Sequence, residues 1–160
     1  MATANDKLQD ESIAHAIWIA RYSTSVANRM IKILNDSDAE LTARLLVAMD
    51  SLDADSFTVS RLEALLVSVR ALNREAVQSM YAGLSDELQQ LAQYEAGFQL
   101  SLFQFAIPDD VLLLHPLVGI SPDAVYAATM AQPFQGRLLS EWADNLEADR
   151  MARISNTVRQ

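Results

Sequence analysis

This chain of 160 residues has no cysteine, two histidines, four glycines and four prolines. Without cysteine there is neither a disulfide framework nor a thiolate metal site, which suits a reducing compartment. His15 and His115 are a hundred positions apart, so the two histidines do not make a metal site together. Scarce glycine and proline, in a chain that is 51% hydrophobic, argue against both disorder and a strand-and-turn architecture. The expected class is all-α. Long apolar runs are missing too. The longest, Ile13 to Ala20 and Val111 to Leu114, fall far short of the roughly 20 residues of a membrane span. Met1 to Ser12 is polar and lacks a secretory pattern, so the Asn35-Asp36-Ser37 sequon is discarded.

Positive charge is also in short supply. There are 21 acids against 12 bases, a net −9, and such a field repels nucleic acid and anionic lipid. The balance changes along the chain. Residues 1 to 136 hold 17 acids and 8 bases, residues 137 to 160 hold four of each, and Arg150, Arg153 and Arg159 end the chain without an acid. A basic end could meet an acidic partner, but cations also favour a helix C-terminus, and that simpler reading is preferred.

What is present is helical periodicity. From Val77, alternating steps of four and three reach Tyr81, Leu84, Leu88, Leu91, Glu95, Phe98, Leu102 and Phe105, so eight of nine seam positions are apolar. Such a stripe is buried against other helices, in this chain or another. Glu95 within it is expected to sit at a wet end, to pair with a base or to hold a register, with no catalytic role.

Read in order, the chain predicts about six helices with short loops, in an elongated or bundle-like domain. The first covers about Asp10 to Leu34, with a stripe of Ile13, Ile17, Ala20, Ala27, Ile31 and Leu34 widened by Trp18, Tyr22 and Met30. The second starts at the capping box Ser37-Asp38-Ala39-Glu40, carries Leu41, Leu45, Ala48, Met49 and Leu52, and ends before Asp53. Asp53-Ala54-Asp55-Ser56 fails as a calcium loop, since Thr58 and Ala64 stand where glycine and glutamate are needed. A further capping box, Ser60 to Glu63, opens a third helix with Leu62, Leu66, Val69, Leu72, Ala76 and Met80. Its stripe is out of phase with the Val77 seam. A break at Gly83 is therefore expected, also because an unbroken helix to Ala106 would be roughly 70 Å long in a domain of about 40 Å.

Ile107 to Ile120 reads as an ordered, buried and extended connection, containing His115-Pro116 and Gly119. Ser121-Pro122-Asp123 starts a helix that stops by Pro133, and the last helix begins near Gly136 with Leu138, Leu139, Trp142, Leu146, Ile154 and Val158 on its buried side. It reaches Gln160 without a stop signal, as though the sequence continued into a missing downstream domain. The division expected is a helical bundle or hairpin over 1–106, a connection over 107–120, and C-terminal helices over 121–160.

The run Ala131-Gln132-Pro133-Phe134-Gln135-Gly136-Arg137-Leu138-Leu139-Ser140-Glu141-Trp142, followed by Leu146, Asp149-Arg150 and Arg153-Ile154, resembles the region leading into the conserved domain of phage minor head proteins, the head morphogenesis proteins of the phage Mu F type. Leu84 to Pro108 is similar to the helical N-terminal part of such proteins. The resemblance implies a structural role in virion assembly, with few copies inside the head near the portal vertex, host cytoplasm as the place of assembly, and portal or capsid proteins as partners. Self-association is a further expectation. DNA contact through this acidic part and membrane binding are not expected. Pro133, Phe134, Gly136 and Trp142 would form a turn that packs the last helix or docks a partner. The competing reading is a cellular helical interaction or oligomerisation module. No catalytic residue, metal site or cofactor is expected, because no glycine-rich phosphate loop, metal spacing or carboxylate dyad stands out.

Overall fold

Two long helices stand where the capping signals pointed to four. The computed structural model describes residues 4–50 and 59–158 and contains, within them, α1 (Ala4–Asp50), α2 (Val59–Ala106), α3 (Asp109–Leu114), α4 (Pro122–Ala131) and α5 (Leu139–Val158). No strand occurs among the described residues, apart from an isolated bridge between Phe134 and Arg137. The class is all-α, with five helices where about six were expected. None of them is long and apolar enough to cross a membrane, among the described residues. The Asp53 to Ser56 segment lies outside the described residues, as do the side chains of Met49 and Ser60.

The predicted break at Ser37 is absent because nothing in α1 forces one. Residues 4–50 contain neither glycine nor proline, and serine, aspartate and asparagine each cost a helix only about 0.7 kcal/mol or less. Tertiary contacts easily override that. The Ser37 hydroxyl is buried without a hydrogen-bond partner, Asp38 accepts a hydrogen bond from Arg150 of α5, and Leu41 is buried. Thr24, in the polar middle of α1, donates back to the Ala20 carbonyl at 3.0 Å, which satisfies its hydroxyl inside the helix.

Gly83 does not break α2 either. It is an interior helical residue facing α1: a Cβ placed there would lie 3.4 Å from Met30 and 3.9 Å from Ile33, ordinary contact distances. The two out-of-phase stripes have a different origin. Val69, Asn73, Ala76 and Val77 are all buried, so at this level α2 is covered over more than one side. One side meets α1 at Met30 and Ile33; another meets α5, where the Asn73 amide donates to the Glu147 carbonyl at 2.9 Å. A helix with two partners carries two stripes.

Contacts gather the chain into two compact units, residues 1–27 with 84–133 and residues 28–83 with 134–160. Both α1 and α2 contribute to each. The size expected of one compact domain therefore does not apply, and that was half of the case for a break at Gly83.

The face that α1 buries also differs from the predicted one. Ile13, Ile17, Ala20, Ala27 and Ile31 are exposed, whereas His15, Ile19, Tyr22 and Val26 turn inward in the first unit and Met30, Ile33, Ser37 and Leu41 in the second. Ring size and polar tips decide this: His15 and Tyr22 bury their rings while their polar atoms find carboxylates on α2.

The 107–120 connection is neither extended throughout nor buried. Six of its residues form α3, Leu112 and Leu117 are half-buried, and Leu113, Leu114, Val118 and Ile120 are 68% to 91% exposed. A helix of six residues has too little surface to cover its own leucines. The start of α4 is as predicted, with Ser121 at the N-cap and Pro122 in the first turn. The last helix begins at Leu139 and not Gly136, because 134–137 is occupied by a tight turn.

Candidate functional site

In the first unit α1 and α2 meet through stacked rings. His15 lies on Phe98 with centroids 3.9 Å apart, and Trp18 lies on Tyr94 at 4.1 Å; Tyr22 extends the stack beside Trp18 at 5.2 Å. Two carboxylates secure the polar edges. Tyr22 donates to Glu87 at 2.6 Å, and His15 Nε2 is 2.8 Å from Glu95 Oε1, a close contact without hydrogen-bond geometry. Glu95 thus pairs with a base, one of the roles the seam allowed it. The partner, His15, was missed because it is eighty residues away in sequence and off the stripe assigned to α1.

Glu95 also lines an apolar groove of about 440 Å³. Ala96, Gln99, Leu100 and Phe103 of α2 form one wall; Leu117, Val118, Gly119 and Ile120 of the connection, with Val125 of α4, form the other. The walls are seated closely: a Cβ at Gly119 would come within 3.2 Å of Leu100, tighter than a side chain there tolerates without displacement. Phe103, Val118 and Ile120 remain largely exposed at its mouth. A groove with these walls can bind apolar side chains, with a carboxylate at one end to fix polarity. Glu95 and His15 face each other, and the remaining lining is apolar except for Gln99.

The predicted seam divides between the units. Val77 is buried and Tyr81 half-buried in the second; Leu84, Leu88, Leu91, Glu95, Phe98 and Leu102 are half-buried in the first. Phe105 departs from it, being 55% exposed, with the Lys7 ammonium 5.4 Å from its ring centroid. So near the end of α2, little of the partner helix remains to cover the stripe.

The corner predicted from Pro133, Phe134, Gly136 and Trp142 is assembled in the second unit, save for Pro133, the last residue of the first. Phe134 and Arg137 exchange both backbone hydrogen bonds, at 2.9 and 3.2 Å, around Gln135 and Gly136 with φ of 49° and 78°. Two successive positive φ values make a hairpin turn of the primed type, which suits glycine at the second position. Trp142 donates from its indole to the Phe134 carbonyl at 3.0 Å, and the Arg137 guanidinium lies 5.3 Å over the indole ring. Glu141 then accepts the Leu138 N–H at 2.7 Å and caps α5. Trp142 is half-buried and Phe134 is 67% exposed, so the tryptophan anchors and the phenylalanine projects.

No group of three or more histidine, aspartate or glutamate side chains is placed to hold a metal among the described residues. No protein-family model, curated protein or solved structure matches this chain.

Proposed function

We propose that this chain is a structural assembly protein, the helical part of a phage minor head protein that docks other components of the head through its first unit. Two independent supports carry the reading. The virion setting rests on the resemblance of Ala131 to Ile154; the docking role rests on the groove between α2 and the 117–125 segment, whose apolar mouth stays open to solvent. Exposed apolar surface of that kind marks an interaction site. The partner is a portal or capsid protein inside the head, and the chain acts by burying surface, with no reaction and no cofactor. Its net −9 disfavours the packaged DNA as the partner of this part.

Quantitative mass spectrometry of purified particles and procapsids, counting this chain against the major capsid protein, tests the reading. A few copies per particle, together with co-purification with the portal, is the expected result. Absence from both particles and procapsids would overturn it in favour of a cellular helical interaction module.

A further inference from the structure

The first unit carries nine acids and only two bases, Lys7 and Arg21, a net −7; the second carries twelve acids and ten bases, a net −2. Four of the acids stand on the elements that supply the groove's walls. Glu95 lines the groove, Asp109 and Asp110 open α3 at the start of the connection that supplies one wall, and Asp123 opens α4 just after Ile120. The groove is present in the chain by itself, where Gly119 brings the connection against Leu100 and Glu95 lies 2.8 Å from His15.

We infer that this groove receives a basic amphipathic helix of another protein, its apolar anchors between Phe103 and Val118 and its lysines or arginines facing the acids of the first unit. Amphipathic helices bind in this way, laying anchors at i, i+3, i+4 and i+7 into an apolar groove. Charge selects the occupant. A surface of net −7 repels acidic helices, nucleic acid and anionic bilayers while attracting a cationic partner from a distance, so the same acids supply both specificity and on-rate. A second copy of this chain is disfavoured by its own net −9. The inference rests on the docking role proposed above and gives it a partner chemistry.

A labelled 14-residue peptide of leucine and lysine, with leucine at the helical anchor spacing, is the probe, read by fluorescence anisotropy against the full chain. Two controls accompany it: the same composition scrambled to remove the apolar face, and the anchor pattern with every lysine replaced by glutamate. The patterned lysine peptide is expected to bind roughly tenfold or more tightly than the scramble and roughly a hundredfold more tightly than the glutamate peptide, weakening as salt is raised. Phe103→Ser with Val118→Ser leaves the charge unchanged at two exposed positions and is expected to weaken binding by roughly tenfold. Leu46→Ser with Val67→Ser, exposed positions of the second unit, is expected to leave it unchanged. Equal binding of the scramble or the glutamate peptide, or an unaltered Phe103/Val118 variant, would overturn the inference. So would a dimer, seen by light scattering, that this variant dissolves, for then the occupant is a second copy. Peptide binding by a chain absent from particles would sink the virion reading and spare the groove; presence in particles without peptide binding would do the reverse.

Discussion

The two units use the same pair of long helices and reach different degrees of closure. In the second, α2 is covered by both α1 and α5, and Leu41, Val69, Asn73, Ala76 and Val77 are buried. Polar groups tie that third helix down: Asn73 donates to Glu147, Arg74 lies 3.2 Å from the same residue's carboxylate, and Arg150 pairs with Asp38. In the first, only Val26 and Ala92 among the described residues reach the same burial, and the interface is a stack of half-covered rings. Its other cover is a short helix and an irregular segment that cannot hide Leu113, Leu114, Val118 or Ile120. The lesson is about the number of long partners. A helix with two closes a core; a helix with one and a half leaves an apolar face available to another molecule.

That contrast can be broken most severely from the second unit. Val69→Asp places a charge at a side chain only 1% exposed and should cost more than about 3 kcal/mol. Hydrogen exchange would show protection lost across 63–83 and 139–156; retained protection would mean that this core is not the tight one. A smaller effect is expected in the first unit. Trp18→Ala removes the stack on Tyr94, but Trp18 is 36% exposed, so the loss should be about 1–2 kcal/mol by denaturant melting. A loss matching that of Val69→Asp would erase the distinction between the units.

The mildest change tests the continuity of α2. Gly83→Ala should raise stability by up to about 1 kcal/mol, because a helix-interior glycine is less favourable than alanine and Met30 lies at an ordinary 3.4 Å from the new Cβ. A helix end at Gly83 would give the opposite sign, since alanine resists the left-handed conformation of a cap. Calorimetric melting of the full chain distinguishes the two.

Class and seam were legible in the sequence because both depend on local spacing. Scarce glycine and proline gave all-α, and the seam from Val77 to Leu102 is buried at Val77 and half-buried at its other positions. Helix ends were less legible where a cap was the only signal. Ser37 and Gly83 both have the chemistry of a terminus, yet each lies inside a helix held by contacts with residues far away in sequence. Ser121-Pro122, where proline restricts the backbone directly, ended up as predicted. The aromatic site was half legible. Trp18 and Tyr22 were noticed as widening the α1 stripe, and Glu95 as an anomaly in the α2 seam, but His15 could be joined to Glu95 only once the pairing register of the two helices was known. The groove had no sequence signal beyond an apolar 111–120 run, which the chain leaves exposed.

The most direct test places a photo-cross-linking phenylalanine analogue at Val118 in one variant and at Val67 in another, exposed positions of the first and second units. Both variants are then irradiated in cells assembling the particle. The account predicts a specific adduct with a portal or capsid protein from position 118 and none from position 67. Adducts from 67 alone, or equal labelling from both, would contradict the claim that the first unit is the one that docks.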